Sequence, residues 1–560
     1  MIRVSAILFF LSVLLQQTVI GQPAMRNIQV DLQKKKGPLK PIWAFFGYDE
    51  PNYTYMKDGR KLLTELSALS PVPVYVRTHN LLTTGDGTPA LKWGSTNVYT
   101  EDASGNPIYN WHIVDSIFDT YVKRGIKPIA EIGFMPKALS TKPEPYQHQW
   151  TPAATYNQIY TGWAYPPVDY KKWRELVYQW AKHCIERYGK KEVQTWWWEV
   201  WNEPDIPYWQ GTQEEYFKLY DFAADGLKRA LPEARIGGPT TTSPRSEKAN
   251  AYLKVFLQHC AEGTNYATGK KGAPLDYISF HAKGNPKLMN GFVRMNMSVQ
   301  LMDVYKGFET VAASPFKNLP IIIGECDPEG CAACSVQFNP QNAYRNGTMY
   351  SSYTAASYAR LYELAEQAGV NLEGAVSWSF EFENQPWFAG FRDMATNGVD
   401  KPVLNVFRLF GKMRGERLAV ENDSAFSLQQ LLAKGVHDSL ADIHALASGN
   451  NRSAYIMVWN YYDDDLPAPP AAVSVRVRNI PAKNVSIKEY RIDEKNSNAY
   501  TVWKAMGSPQ QVSAMQYATL EKAGKLKQVS DEKNKPVQKG VVTKTISLPR
   551  QAVSLLEIQW

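Results

Sequence analysis

Cysteine is scarce in this chain: five residues in 560, at Cys184, Cys260, Cys326, Cys331 and Cys334. An odd count leaves at least one thiol unpaired. Cys331 and Cys334 have the spacing of a zinc half-site, but no second Cys/His pair accompanies them, so no metal or other cofactor is expected. Long basic blocks are also missing. The net charge is +8, yet the longest run is Lys34-Lys35-Lys36, which reads as a solvated turn, so nucleic-acid binding is not expected. There is no glycine-rich phosphate loop and no internal repeat beyond a β/α rhythm. After the N-terminus, no segment is apolar and long enough to span a bilayer.

At the N-terminus, Met1-Ile2-Arg3 precedes an apolar run from Val4 to Leu15, then small and polar residues near Gly21-Gln22. That is the pattern of a secretory signal peptide, taken as residues 1–21, and it predicts a secreted or periplasmic protein with no membrane attachment after cleavage. Six Asn-x-Ser/Thr sites, at Asn52, Asn296, Asn346, Asn422, Asn451 and Asn484, leave glycosylation open. Aromatics are abundant, with 17 Trp and 32 Tyr, which fits either a large core or sugar stacking.

A strand-then-helix rhythm repeats eight times between residues 41 and 412. The strands are expected at residues 42–47, 74–77, 128–134, 195–201, 235–238, 277–281, 320–325 and 375–380. The third helix is the clearest. Asp169 can cap it, Trp173, Leu176, Val177, Trp180, Cys184 and Ile185 recur at helical spacing, and Gly189 ends it. Eight such units predict an α/β fold, a (β/α)8 TIM barrel with its site at the strands' C-terminal ends. Residues 413–560 change to β-rich stretches between turns and predict an antiparallel β-sandwich. Residues 22–40 contain an alternating stretch expected to add a strand to that sandwich, and the Lys-rich residues 520–536 read as a solvated loop.

Trp196-Trp197-Trp198-Glu199-Val200-Trp201-Asn202-Glu203-Pro204 is an aromatic-rich strand stopped by proline. It presents Glu203 at a strand end, with indole rings expected around it to raise its pKa and stack on sugar faces. Leu319-Pro320-Ile321-Ile322-Ile323-Gly324-Glu325 is a second apolar strand ending in a glutamate. The fourth and seventh strands lie across a barrel from each other. Two carboxyl groups facing one pocket are what glycoside hydrolysis requires, with Glu203 as acid/base and Glu325 as nucleophile.

The Asn202-Glu203-Pro204 ending resembles clan A retaining glycosidases. The surrounding text resembles glycoside hydrolase family 39, which holds β-xylosidases and α-L-iduronidases. Carriers of the resemblance include Val76-Arg77-Thr78-His79, Tyr109-Asn110-Trp111, Glu131 through Leu139, Ile236-Gly237-Gly238-Pro239, Asp276 through His281, and, near the C-terminus, Met506-Gly507-Ser508-Pro509. The resemblance implies sugar contacts by His79 and Asn202, a histidine beside the nucleophile at His281, and an aromatic floor at Trp378. It also implies hydroxyl-binding acids at Glu381 or Glu383. Ala282-Lys283-Gly284 looks like the iduronidase branch, in which Lys283, and Arg392 beyond it, would meet a substrate carboxylate. A protein acid such as Glu381 is the alternative partner for Lys283.

The leading expectation is a secreted retaining exo-glycosidase of β-xylosidase type, acting on plant polysaccharide fragments. A uronidase on the same fold and a non-catalytic carbohydrate-binding protein are the alternatives. A disulfide pinning the loop after Glu325 is expected among Cys326, Cys331 and Cys334, while Cys184 and Cys260 are expected to be buried thiols.

Overall fold

The computed structural model describes residues 25–153, 159–378, 380–423, 425–436 and 440–560; the expected leader, residues 1–21, lies outside the described residues. Eight parallel strands close into a barrel: β1 (Phe45–Tyr48), β2 (Tyr75–Thr78), β3 (Lys127–Ile132), β4 (Trp197–Val200), β5 (Arg235–Thr241), β6 (Tyr277–Lys283), β7 (Pro320–Asp327) and β8 (Asn371–Trp378). Each pairs with its neighbours in sequence, and β8 closes on β1. The main helices between them are α1 (Lys57–Ser67), α2 (His112–Val122), α3 (Tyr170–Tyr188), α4 (Gln213–Ala230), α5 (Glu247–Glu262), α6 (Met297–Ala312) and α7 (Thr348–Ala368). α8 (Pro402–Lys412) follows β8.

The barrel strands are short and buried on both faces, which is why they read as apolar runs rather than alternating ones. α3 begins where Asp169 accepts hydrogen bonds from the backbone N–H groups of Lys171 and Lys172. It ends at Gly189, whose φ of 86° suits a glycine. Its apolar stripe, Trp173, Leu176, Val177, Trp180 and Cys184, is buried against the barrel.

The C-terminal region forms one nine-stranded, mostly antiparallel sheet, hydrogen-bonded in a single continuous order. The strand Arg26–Pro38 sits inside it, antiparallel to Glu416–Asn422 and parallel to Ala471–Arg478. Alternate residues split between two cores. Ala454, Ile456 and Val458 face Val473, Val475 and Ile546 in a core internal to the sheet. Tyr455, Met457, Trp459 and Leu555 point the other way and join the barrel's own core.

The loop expected at residues 520–536 is a correction. The structure has the end of the helix Ala514–Gly524 there, followed by the strand Lys527–Pro536, which pairs with Asn484–Ile492 at the sheet's edge. An edge strand needs no apolar outer face, and lysines along it discourage pairing with other chains, so its sequence looks like loop.

Candidate functional site

Glu203 lies just beyond β4 in a turn of unusual backbone. Trp201 and Glu203 both have positive φ, 68° and 45°. Such conformations cost on the order of 1–3 kcal/mol each in a non-glycine residue and persist only when the surroundings fix them. Here the Trp201 N–H donates to Ile132 at 3.2 Å and the Glu203 N–H to Thr240 at 3.0 Å. On the facing side, the pairing of β7 with β6 shifts register between Ile323 and Glu325, around Gly324. A side chain at Gly324 would meet Ser279 Oγ at 2.8 Å and His281 Nε2 at 3.1 Å, so glycine lets the imidazole sit against the strand. Glu325 and Asp327 then point the same way, beside His281 and Lys283.

One oxygen of Glu203, one of Glu325 and one nitrogen of His281 lie within 4.8 Å of one another. His281 Nδ1 faces both carboxylates, at 2.8 Å from Glu203 Oε1 and 3.8 Å from Glu325 Oε1, so this nitrogen carries the proton. Among the described residues, this trio is also the set of side chains whose spacing could hold a metal ion. The Lys283 ammonium, 2.5 Å from Glu325 Oε2, already places a cation against that carboxylate. Lys283 also reaches Asp327 at 2.8 Å.

Burial opposes ionisation of Glu325. Lys283, then His281 and Arg77, outweigh it and hold the carboxyl well below the usual carboxylate range. Arg77 is wholly buried beneath the site. It donates to Glu199, to Asn202 Oδ1 at 3.0 Å and to His79 Nε2 at 2.9 Å, and it lies 3.3 Å from Glu131 and 3.4 Å from Glu325.

Because Arg77 offers only donors, His79 Nε2 must accept and His79 Nδ1–H points to Asp49 at 3.0 Å. Burial and the Arg77 charge lower the His79 pKa to about 4, so the ring is neutral near pH 7. Asn202 is oriented by the same logic: its oxygen faces Arg77, which leaves its amide N–H2 to the cavity.

Glu203, Glu325, His79, Asn202 and Lys283 line a cavity of about 250 Å³, together with Asp49, Lys92, Tyr160, Tyr208, Thr242 and Trp378. Lys92 pairs with Asp49, whose carboxyl burial would raise but the Lys92 charge holds well below the ordinary range. The Trp378 ring lies 5.0 Å from the Arg77 guanidinium and tilts 4.5 Å from His79. Gly47 on β1 makes room for it, since a Cβ there would fall 2.5 Å from the indole.

The cavity thus gathers Glu203, Glu325, His79, Asn202, Lys283 and Trp378, with His281 bridging the two glutamates from below. Four expectations are corrected. Glu381 is buried away from the cavity and accepts from the Gly398 N–H, while Glu383 accepts from the Asp58 N–H in the first turn of α1. Both belong to the segment after β8, which folds outward over α1. Arg392 is fully buried behind the loop after β7, donating to the Trp378 carbonyl at 2.8 Å and facing Asp327 at 3.4 Å and Glu329 at 3.2 Å. Lys283 does meet protein acids, but they are Glu325 and Asp327 rather than Glu381. The tryptophans Trp196, Trp197, Trp198 and Trp201 are buried in the protein core and none lines the cavity; Trp201 spends its N–H on the Tyr208 carbonyl.

The disulfide is Cys331–Cys334, and Cys184, Cys260 and Cys326 are buried free thiols. Arg77, Asp49, Lys92 and Asp327 were not singled out from sequence. Arg77 stands in the quoted Val76-Arg77-Thr78-His79 segment, two residues before His79, and that same-face spacing on a strand was the available signal.

The family model for glycosyl hydrolases family 39 matches residues 26–538. A β-xylosidase from Geobacillus stearothermophilus is 28% identical, over 87% of this chain and 86% of that protein. An α-L-iduronidase from Mus musculus is 26% identical, over 88% of this chain and 75% of that protein. Among solved structures, a monomeric β-xylosidase from Caulobacter crescentus CB15 superposes with a TM-score of 0.72 at 21% identity, covering 95% of this chain and 99% of that one.

Proposed function

The chain belongs to glycosyl hydrolases family 39 and is a glycoside hydrolase, and from that premise we propose that it is a retaining, exo-acting β-xylosidase. The observation that carries the mechanism is the closeness of the two carboxylates, with oxygens within 4.8 Å. Retaining enzymes hold their carboxyl groups about 5–5.5 Å apart, whereas inverting ones leave roughly 6.5–9.5 Å for a water.

Ionised Glu325 attacks the anomeric carbon while Glu203 gives its proton to the departing glycosidic oxygen. The C1–O bond breaks, and an ester to Glu325 replaces it. Glu203, now a carboxylate, removes a proton from water, which attacks C1 and frees Glu325. As negative charge leaves Glu325 in the first step, Lys283 and Arg77 remain to receive it back in the second.

Exo action is supported by a cavity of about 250 Å³, which suits one sugar ring rather than a run of them. A neutral terminal sugar is supported by the charges around it. Both cavity-lining lysines already meet protein carboxylates, Lys92 with Asp49 and Lys283 with Glu325 and Asp327, and Arg392 is sealed behind the wall. A uronate would need one of these cations released. The α-L-iduronidase relatives keep that second reading in play. Export is supported by the leader-like N-terminus and by the disulfide, a bond that persists outside the reducing cytosol.

A panel of aryl glycosides (β-xyloside, α-L-arabinoside, β-galactoside and α-L-iduronide) tests the substrate, with β-xyloside expected to be turned over fastest. Proton NMR of the first product tests the mechanism: β-xylose should appear before its α anomer, and α-xylose first would refute retention. Glu325→Gln should lower turnover at least 10⁴-fold; a variant with full activity would remove Glu325 from the reaction.

A further inference from the structure

A second concavity, of about 620 Å³, lies immediately beside the catalytic one. It is lined by Asp205, Ile206 and Trp209 from the loop after β4, and by Lys248, Ala251 and Tyr252 from the first turns of α5. Ile206 is a wall of both spaces. A second link is Asp205, whose carboxylate accepts from the N–H of Thr242 at 2.9 Å and from its hydroxyl; Thr242 lines the catalytic cavity.

The side on which this groove lies sets its meaning. In the catalytic cavity, Asp49, His79, Lys92 and Trp378 come from the ends of β8, β1 and β2 and the loops that follow them. They gather on the far side from Glu203. Glu203 stands at the β4 end, and beyond it toward β5 come Thr242, Ser243 and then the groove. An acid that protonates the departing oxygen faces the leaving portion of the substrate. The chain beyond that oxygen therefore runs out on the β4–β5 side.

The groove also carries an unmet polar group. Tyr252 is 8% exposed, and its hydroxyl has no hydrogen-bond partner among the described residues. Leaving such a group unpaired is unfavourable; the hydroxyl is covered, and a turn of the ring toward the groove would bring it to a ligand hydroxyl. Trp209 commits its N–H to the Thr212 carbonyl at 2.8 Å, so toward the groove it has only ring carbon to offer, the surface on which sugar C–H faces stack.

We propose that this groove is the binding site for the leaving portion of the substrate, taking one or two further sugar rings of a neutral oligosaccharide. It rests on the glycosidase reading above and adds where the rest of the chain lies.

Ala251→Trp fills the groove from an exposed helix position, and Tyr252→Phe removes only the hydroxyl. For each, kcat/KM is measured on an aryl β-xyloside, which barely extends past Glu203, and on xylotriose. The expected result is a loss of at least tenfold on xylotriose for Ala251→Trp and three- to fivefold for Tyr252→Phe, with the aryl xyloside unchanged within twofold. Equal losses on both substrates, or none on xylotriose, would overturn the proposal. Titrating Glu325→Gln protein with xylotriose and with xylose reads the same point without turnover. The trisaccharide should bind at least tenfold tighter, and Ala251→Trp should erase that excess; equal affinities would count against the groove. Wild-type protein that cleaves no glycoside in the panel would instead sink the functional reading, and the binding arm would still judge the groove.

Discussion

At Glu325 two opposing effects meet in one side chain. Burial alone would push a carboxyl up and keep it protonated, yet Lys283 at 2.5 Å and Arg77 at 3.4 Å hold it ionised. The sign of a substitution follows. Lys283→Met removes the nearer charge and leaves the burial, so the Glu325 pKa must rise. The acid limb of the kcat/KM profile should move up by at least one pH unit, with activity at pH 5 falling more than at pH 7. An unmoved limb would show that Lys283 does not set the charge of Glu325. This arrangement was only half legible in sequence. Glu203 and Glu325 each follow an apolar strand, a pattern carried by neighbouring residues. The partners of Lys283 are not such a pattern: Asp327 lies 44 positions away and meets it only because the β6–β7 pairing, after its shift, sets the two residues side by side. The tryptophan-rich run misled for the related reason that a ring's neighbours are set by packing, and its rings fill the core.

The loop after β7 shows how one element can hold the rim of a site. Gly330 lines the cavity, and the loop carrying it is closed by Cys331–Cys334. Arg345, buried beneath, donates to the carbonyls of Ala332, Cys331, Cys334 and Gly390 and pairs with Glu329. Arg345→Met would take the side-chain donor from the Cys331 and Gly390 carbonyls, at about 1–3 kcal/mol each, and would leave Glu329 to Arg392, the Ala332 carbonyl to the Arg392 N–H and the Cys334 carbonyl to Asn342. The rim should loosen, with KM for the aryl xyloside raised at least fivefold, kcat changed less, and a lower melting temperature. A variant with wild-type KM would show the loop to be held without Arg345. Helices such as α3 were legible because cap, stripe and stop all lie within the chain's own text. Edge strands such as Lys527–Pro536 were not, since half of each is designed to face water.

Across the whole molecule, the barrel and the sheet share a core. Trp459 is fully buried in the main cluster, and its indole N–H donates to Asp442 at 3.1 Å, which also holds Arg360 of α7 at 3.2 Å. Arg294, beyond β6, forms a two-pronged pair with Asp464 of the sheet region at 2.6 and 2.7 Å. Trp459→Ala should therefore destabilise the protein by about 3–5 kcal/mol. A single shared transition in urea is expected, since the lost contacts join the two parts. Two separated transitions in the wild type would contradict a shared core.

The strand Arg26–Pro38 has one more implication, and it concerns synthesis. Its hydrogen-bonding partners are Glu416–Asn422 and Ala471–Arg478, so the first described strand to leave the ribosome must wait for strands made hundreds of residues later. Until then its unpaired edge is exposed. Its outer stretch, Lys34-Lys35-Lys36, gives that waiting strand a charged guard. The three lysines, read from sequence as a solvated turn, lie in this strand, and each meets a carboxylate made hundreds of residues later: Lys34 with Glu421, Lys35 with Glu416 and Lys36 with Glu366.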